Sequence, residues 1–360
     1  MIPQMIPWFD EQEKLALSRY MDSGGFLTEF KETQKFEHQI AEYSGTKHAI
    51  VVNNGTVSLW MMLMALNIGP GDSVLVPNYT MIATANAIRA TGAEPIFCDV
   101  EIETLCIDFN EIQKRLQANT KAVFFVSANG RFPTYEMKKL VSFCQSAGIA
   151  LLEDAAQALG SFYPDGSHIG TKGIMGSFSF SVPKIITTGQ GGAIITNDDC
   201  AASTLRKMKD FGRTGGGIDI HDSFGLNFKF TDLQATIGLT QMEKLSLRVN
   251  LKKDIYLQYR SNLMDVQQVR LFHNDIQSTS PWFIDALVQD RNILVQFLKE
   301  RGIGTRVMYP PINAQKSYNL NGDFPVSETV GRDGIWLPSF AQISQTQIST
   351  VTDAIKEFYA

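Results

Sequence analysis

The chain has 360 residues, 44% of them apolar and 10% aromatic, enough to bury a full core, which excludes a disordered protein, a small disulfide scaffold and a repeat peptide. At roughly 150 residues per domain, the length predicts about two domains. The 32 basic and 37 acidic residues leave a net charge of −5 with no Lys/Arg block, which argues against a nucleic-acid-binding surface.

In chain order, Glu11–Ser23 reads as an amphipathic helix ended by Gly24-Gly25, and Lys31–Ser44 as a second helix stopping at Gly45. His48–Asn53 is a short apolar strand that runs into Asn54-Gly55-Thr56, and an apolar helix follows to about Ile68. Then come Ser73–Pro77 (strand), Met81–Thr91 (helix), Glu94–Asp99 (strand), Phe109–Ala118 (helix) and Ala122–Val126 (strand). Tyr135–Ala147 is a helix, and Ala150–Leu152 a strand ending at Glu153-Asp154. This alternation predicts an α/β domain around a mostly parallel sheet. Gly176–Phe180 and Gly192–Thr196 are further strands, Gly212–Asp222 a Gly-rich mobile loop, and Thr231–Val249 a long helix. From Leu251 onward helices alternate with shorter strands, so the boundary is drawn near residue 245: a large domain over residues 1–245 and a small α+β domain over 246–360.

Cys98, Cys106, Cys144 and Cys200 form no CxxC pair, and the five histidines have no ligand spacing, so reduced thiols and no metal site are expected. The amino terminus lacks the basic flank and apolar run of a signal peptide. The most apolar stretch, Val57 to Ile68, is shorter than the about 20 residues a membrane span needs. A cytoplasmic, soluble protein is the expectation.

Three strand-to-helix corners could carry chemistry, because ligands of parallel sheets bind outside the carboxyl ends of the strands. Asn54-Gly55-Thr56 opens a helix whose free amides and Thr56 hydroxyl suit a phosphate; a plain N-cap is the alternative. Glu153-Asp154-Ala155-Ala156-Gln157 ends an apolar strand, and only one of the adjacent carboxylates can face a site. Such a carboxylate would keep a ring nitrogen protonated, or it caps the next helix. Ser179 and Lys184, before a Gly-rich turn, offer a hydroxyl for a phosphate and an amine that burial would make nucleophilic, although a lone lysine is more often on the surface. The Gly-rich tract matches neither a Rossmann fingerprint nor a P-loop.

Together these are the parts of a pyridoxal phosphate site. The order Asn-Gly-Thr, Val-Pro-Asn-Tyr-Thr, Glu-Asp-Ala-Ala-Gln-Ala-Leu-Gly, Ser-Phe-Ser-Phe-x-x-x-Lys, Thr-Thr-Gly-x-Gly-Gly and Gly-Leu-Asn-Phe-Lys-Phe-Thr-Asp-Leu-Gln-Ala resembles the DegT/DnrJ/StrS family of pyridoxal-phosphate-dependent nucleotide-sugar aminotransferases, from about Ile6 to Tyr359. Within it the chain is most similar to enzymes that aminate a 4-keto-6-deoxyhexose, such as perosamine synthases.

The resemblance implies the type I fold of aspartate aminotransferase-like enzymes, with glutamate as amino donor and the cofactor joined to Lys184. It implies that Asp154 pairs with the pyridine nitrogen and Gln157 with the ring hydroxyl. Gly55, Thr56 and Ser179 would hold the phosphate, joined by Asn227 from a second subunit, hence a homodimer with shared sites. Some positions depart from the family pattern. Met81 replaces the stacking aromatic residue, Gln190 the glutamate of Gly-Glu-Gly-Gly, and Ser127-Ala128-Asn129-Gly130-Arg131 the His-x-x-Gly segment. Lys229 replaces an arginine, and Asn313 a histidine that approaches substrate. These departures bear on the sugar and leave the cofactor residues intact. The rival readings are a sugar 3-dehydratase, opposed by Lys184 where those relatives carry histidine, a same-fold enzyme acting on a 3-keto sugar, a non-sugar ketone or amino acids, and a non-catalytic regulator, for which no DNA-reading element is evident.

Overall fold

Two β-sheets organise the chain in the computed structural model, which describes residues 1–215 and 218–360. Helices α1 (Glu11–Asp22) and α2 (Lys31–Ser44) lead into β1 (His48–Val52), α3 (Gly55–Ala65), β2 (Ser73–Pro77), α4 (Ala83–Ala90) and β3 (Glu94–Cys98). Next come α5 (Phe109–Arg115), β4 (Thr120–Val126), α6 (Met137–Ala147), β5 (Ala150–Asp154), β6 (Met175–Ser179) and β7 (Gly192–Thr196), with α7 (Asp199–Lys209) and α8 (Asp232–Glu243) after them. The strand order is β1-β7-β6-β5-β4-β2-β3. Only β7 is antiparallel to its neighbours β1 and β6, so every other strand points the same way and their carboxyl ends gather on one edge.

The period-2 alternation of the strands places one set of side chains on each face. Val51, Val123 and Phe125 pack under α2, α5 and α6, where they meet Phe36, Ile112 and Leu140. Ile50, Phe124 and Leu152 face the other way, onto Leu59, Ile88 and Leu205 of α3, α4 and α7. Both faces are thus covered, which is why the strands read as nearly continuous apolar runs. Burying each such side chain contributes about 1.5–3 kcal/mol.

Helix α9 (Leu245–Leu263) crosses to the second sheet, built from β8 (Val269–Leu271), β9 (Ile284–Val288), β10 (Arg306–Val307) and β11 (Gly334–Leu337), with α10 (Arg291–Glu300), α11 (Pro325–Asp333) and α12 (Gln345–Tyr359). Its order is β10-β11-β9-β8, antiparallel throughout. The single helix predicted over Thr231–Val249 is instead two, α8 and α9, meeting at Lys244. There the Lys244 N–H bonds to Gln241 O three residues back, and the ammonium is drawn to Asp10 and Glu13 at 2.6 and 2.8 Å. That pull comes from α1, and local periodicity does not show it. The boundary drawn near residue 245 falls at this junction. In the segment predicted as a mobile loop, Arg213 pairs with His221, and Lys207 holds Asp222 at 2.9 Å; its residues 216 and 217 lie outside the described ones.

Lys252 of α9 is buried, its Nζ donating to Ser339 O and lying 5.7 Å from the Phe283 ring centroid. Burial alone pushes this ammonium down to about 7. Between about 7 and the ordinary lysine value the unfolded chain therefore holds a proton that the folded chain does not, and stability rises with pH through that window. Lys252→Met is expected to match or exceed the parent near pH 6, with its advantage shrinking by up to about 1.4 kcal/mol per pH unit above pH 7. Urea unfolding of both proteins from pH 6 to 10 checks this, and a constant difference counts against it.

Candidate active site

The predicted corners meet because β1, β5 and β6 end on the same edge of the sheet. They open onto a cavity of about 320 Å³ whose lining includes Gly55, Thr56, Asp154, Gln157, Ser179 and Lys184. Met81 stands on its rim, 45% exposed, with Sδ accepting the Ala83 N–H.

Helix α3 starts at this cavity. The Asn54 side chain caps it by accepting the Val57 N–H at 2.9 Å, and no acidic residue occupies its first turn. An anion placed there would meet the Gly55 and Thr56 N–H groups and the positive end of the helix dipole. Ser179 closes the cradle so tightly that a Cβ on Gly55 would lie 2.9 Å from the Ser179 Cβ. Gly55→Ala should displace Ser179 and weaken retention of a phosphate-bearing cofactor roughly 10–100-fold, the equivalent of a 1–3 kcal/mol overpacking cost. An absorbance titration of cofactor-free protein with pyridoxal phosphate measures it, and parent-like affinity would argue against a phosphate at this corner.

The two adjacent carboxylates separate as strand alternation requires. Asp154 lines the cavity, accepting the Thr84 hydroxyl at 2.7 Å and the Ala156 N–H at 3.2 Å. Glu153 points to the opposite face, fully buried, where it accepts the Tyr163 hydroxyl at 2.6 Å and the Gly170 N–H at 2.8 Å. Burial raises both carboxyls, and Lys184 counteracts this for Asp154.

Lys184 reaches into the same cavity, with its Nζ 4.2 Å from the Trp282 ring centroid. Burial pushes its amine down to about 8, opposed by the Asp154 charge and helped by Arg306. Gln157 accepts the Asn129 N–H through Oε1 at 2.6 Å, which leaves its NH2 free for the cavity. A phosphate cradle, a carboxylate, an amide donor and an amine of lowered basicity thus share one cavity, and this donor set fits pyridoxal phosphate.

Thr84, Trp282, Arg306 and Tyr309 were not legible in the sequence. Trp282, Arg306 and Tyr309 come from the second sheet's side of the cavity. Two predicted residues do not line the cavity. Asn313 is 6% exposed, its Oδ1 accepting from the Asn78 amide at 2.8 Å and its Nδ2 donating to the Leu320 carbonyl at 3.0 Å. Asn227 is on the exposed surface beside Asp210. Gln190 lines the cavity, and its carbonyl accepts the Thr188 hydroxyl and the Gln234 amide, each at 2.7 Å. Lys229 pairs with Asp210 at 2.8 Å. Among the described residues no group of His, Cys, Asp and Glu could hold a metal ion, and no helix is long and apolar enough to cross a membrane.

A profile of the DegT/DnrJ/EryC1/StrS aminotransferase family matches residues 7–356. The GDP-perosamine synthase of Escherichia coli O157:H7 is 34% identical over all of this chain and 99% of the relative. That of Vibrio cholerae is 32% identical over the same shares. The solved structure of the aminotransferase TlmJ from Streptoalloteichus hindustanus aligns with a TM-score of 0.93 at 29% identity, covering 99% of this chain and 98% of that one.

Proposed function

The chain belongs to the DegT/DnrJ/EryC1/StrS aminotransferase family, and from that premise we propose that it moves an amino group from glutamate to the keto carbon of a nucleotide-linked 4-keto-6-deoxyhexose. The single observation behind this is the cavity that brings Lys184, Asp154 and the amino end of α3 together. The full-length likeness to proteins named GDP-perosamine synthase supports the sugar. Such a product serves surface-polysaccharide assembly, and the cytoplasm is its place of work.

Bound pyridoxal phosphate supplies an aldehyde that accepts the amino group and a ring that spreads negative charge. Gly55, Thr56 and Ser179 hold the phosphate by backbone and hydroxyl donors, and the helix dipole adds to their pull. Asp154, fixed by Thr84 and Ala156, would keep the ring nitrogen protonated. Gln157 donates its NH2 to the ring hydroxyl. Lys184, whose lowered basicity leaves a sizeable neutral fraction near pH 8, would take the proton from the donor's carbon as a base and give it back as an acid.

A second copy of the chain completes the site, with Asn227 reaching across to the phosphate. The apolar side chains Phe26, Leu27, Phe30, Ile220 and Phe224 are each at least 41% exposed, a surface that a dimer would cover. Light scattering should return twice the 40.0 kDa chain mass, and a monomer counts against the shared site.

To test the substrate, purified protein is incubated with pyridoxal phosphate, glutamate and a panel of nucleotide-linked keto-sugars, with products read by mass spectrometry. An amino-sugar nucleotide and an equal amount of 2-oxoglutarate are expected from a 4-keto-6-deoxyhexose. Failure on all of these while a 3-keto sugar reacts overturns the sugar assignment and leaves the transamination intact.

A further inference from the structure

Asn129 lies in the Ser127–Arg131 segment that stands where the family pattern has His-x-x-Gly. It is 3% exposed and lies in the left-handed region at φ 56°. Its side-chain amide is spent on one residue next to β9: Nδ2 donates to Phe283 O at 2.8 Å, and Oδ1 accepts the Phe283 N–H at 2.6 Å. The amide thus pairs with both backbone groups of Phe283, as a neighbouring strand would. The contact joins the large sheet to the small one.

The next residue back, Trp282, is 4% exposed and stacks on Phe283, with ring centroids 4.0 Å apart and planes 24° apart. Its indole N–H donates to Pro183 O at 2.6 Å, immediately before Lys184, and its ring faces the Lys184 ammonium. Contacts therefore run from Asn129 through Phe283 and Trp282 to Lys184, leaving the large sheet and returning to it.

We propose that Asn129 is a positioning residue that, by clasping Phe283, seats Trp282 against Lys184. A flexible four-carbon stem loses freedom when its ammonium lies against an aromatic face, and the indole also keeps water from one side of the amine. The charged or titratable groups facing Lys184 from the surrounding elements are Asp154 of β5, Arg306 of β10 and Tyr309 just beyond it. The burial that lowers the basicity of Lys184 depends on the ring staying in place. The proposal rests on Lys184 being the reacting amine and is independent of the sugar.

Cofactor-free protein provides the test: acetylation of Lys184 by acetic anhydride is followed from pH 6 to 11 by peptide mass spectrometry, beside thermal unfolding. Asn129→Gly keeps the left-handed backbone without strain and loses only the clasp. Trp282→Phe keeps a stacked ring, but it loses the tether to Pro183 and leaves room for water. The parent is expected to titrate near pH 8 at Lys184, and both variants at least one unit higher, a roughly tenfold slower acetylation at pH 7.5. Unchanged titration in both variants, with lower thermal midpoints, would reduce the contacts to fold support and overturn the proposal. A rise in Trp282→Phe alone overturns the part given to Asn129. Because no sugar or cofactor enters this measurement, a wrong substrate assignment cannot be mistaken for its failure.

Discussion

Lys184→Ala is expected to remove the visible band that pyridoxal phosphate shows when bonded to this lysine and to lower turnover by at least about 10⁴-fold. Positioned proton transfer alone is worth roughly 10²–10⁴-fold, and the variant also loses the amine that bonds the cofactor. Lys184→Arg separates charge from nucleophilicity, because it keeps a cation above Asp154 and cannot serve as the reacting amine. It should be as inactive as the alanine variant. Neither substitution should lower stability in cofactor-free protein, since Lys184 is held there against a desolvation cost. Rapid-scanning absorbance with glutamate, together with thermal unfolding, distinguishes these outcomes. Retained turnover would remove Lys184 from the chemistry, and a collapse in stability would make the loss of activity uninformative about it.

The second large effect is on stability. Arg131 and Asp285 form a bidentate pair at 3.0 and 2.8 Å between the segment after β4 and strand β9, with both side chains about 97% or more withdrawn from solvent. Arg131 also donates to Thr104 O at 2.9 Å and lies 5.2 Å from the Phe272 ring centroid. Arg131→Met leaves the Asp285 carboxylate buried without its cation, and removing one partner of such a pair costs about 3–5 kcal/mol. At about 2 °C or less per kcal/mol for a chain of this size, the thermal midpoint should fall by several degrees, up to about 10 °C. The double variant Arg131→Met with Asp285→Leu should recover most of the loss, because an apolar pair no longer has a charge to strand. A single variant as stable as the parent would mean that the pair contributes nothing to holding the sheets together.

Much of the large sheet was legible because its strands are short apolar runs separated by helices, and that pattern is local. The helix ends drifted by a few residues, and the helix at Thr231–Val249 split, because Lys244 is held by residues of α1 more than two hundred positions away. Of the site, Gly55, Thr56, Ser179 and Lys184 were legible as chemistry at strand ends, Asp154 and Gln157 were assigned through the family resemblance, and all six fall around one cavity. Asn313 was read from its position relative to a family pattern, and its side chain bonds to Asn78 and Leu320 outside the cavity lining.

By itself the sequence determined the alternation of elements, the stop at each glycine, and which corners carried a carboxylate, an amine or an anion cradle. Each of these depends on neighbours within a turn or two of chain. Only the tertiary structure decided that Asp154 faces the amine while Glu153 turns away. It also decided that Thr84 holds that carboxylate, and that Trp282 and Arg306 arrive from the second sheet. Those facts depend on which distant segments share a cavity, and contact across a folded core carries no fixed spacing along the chain.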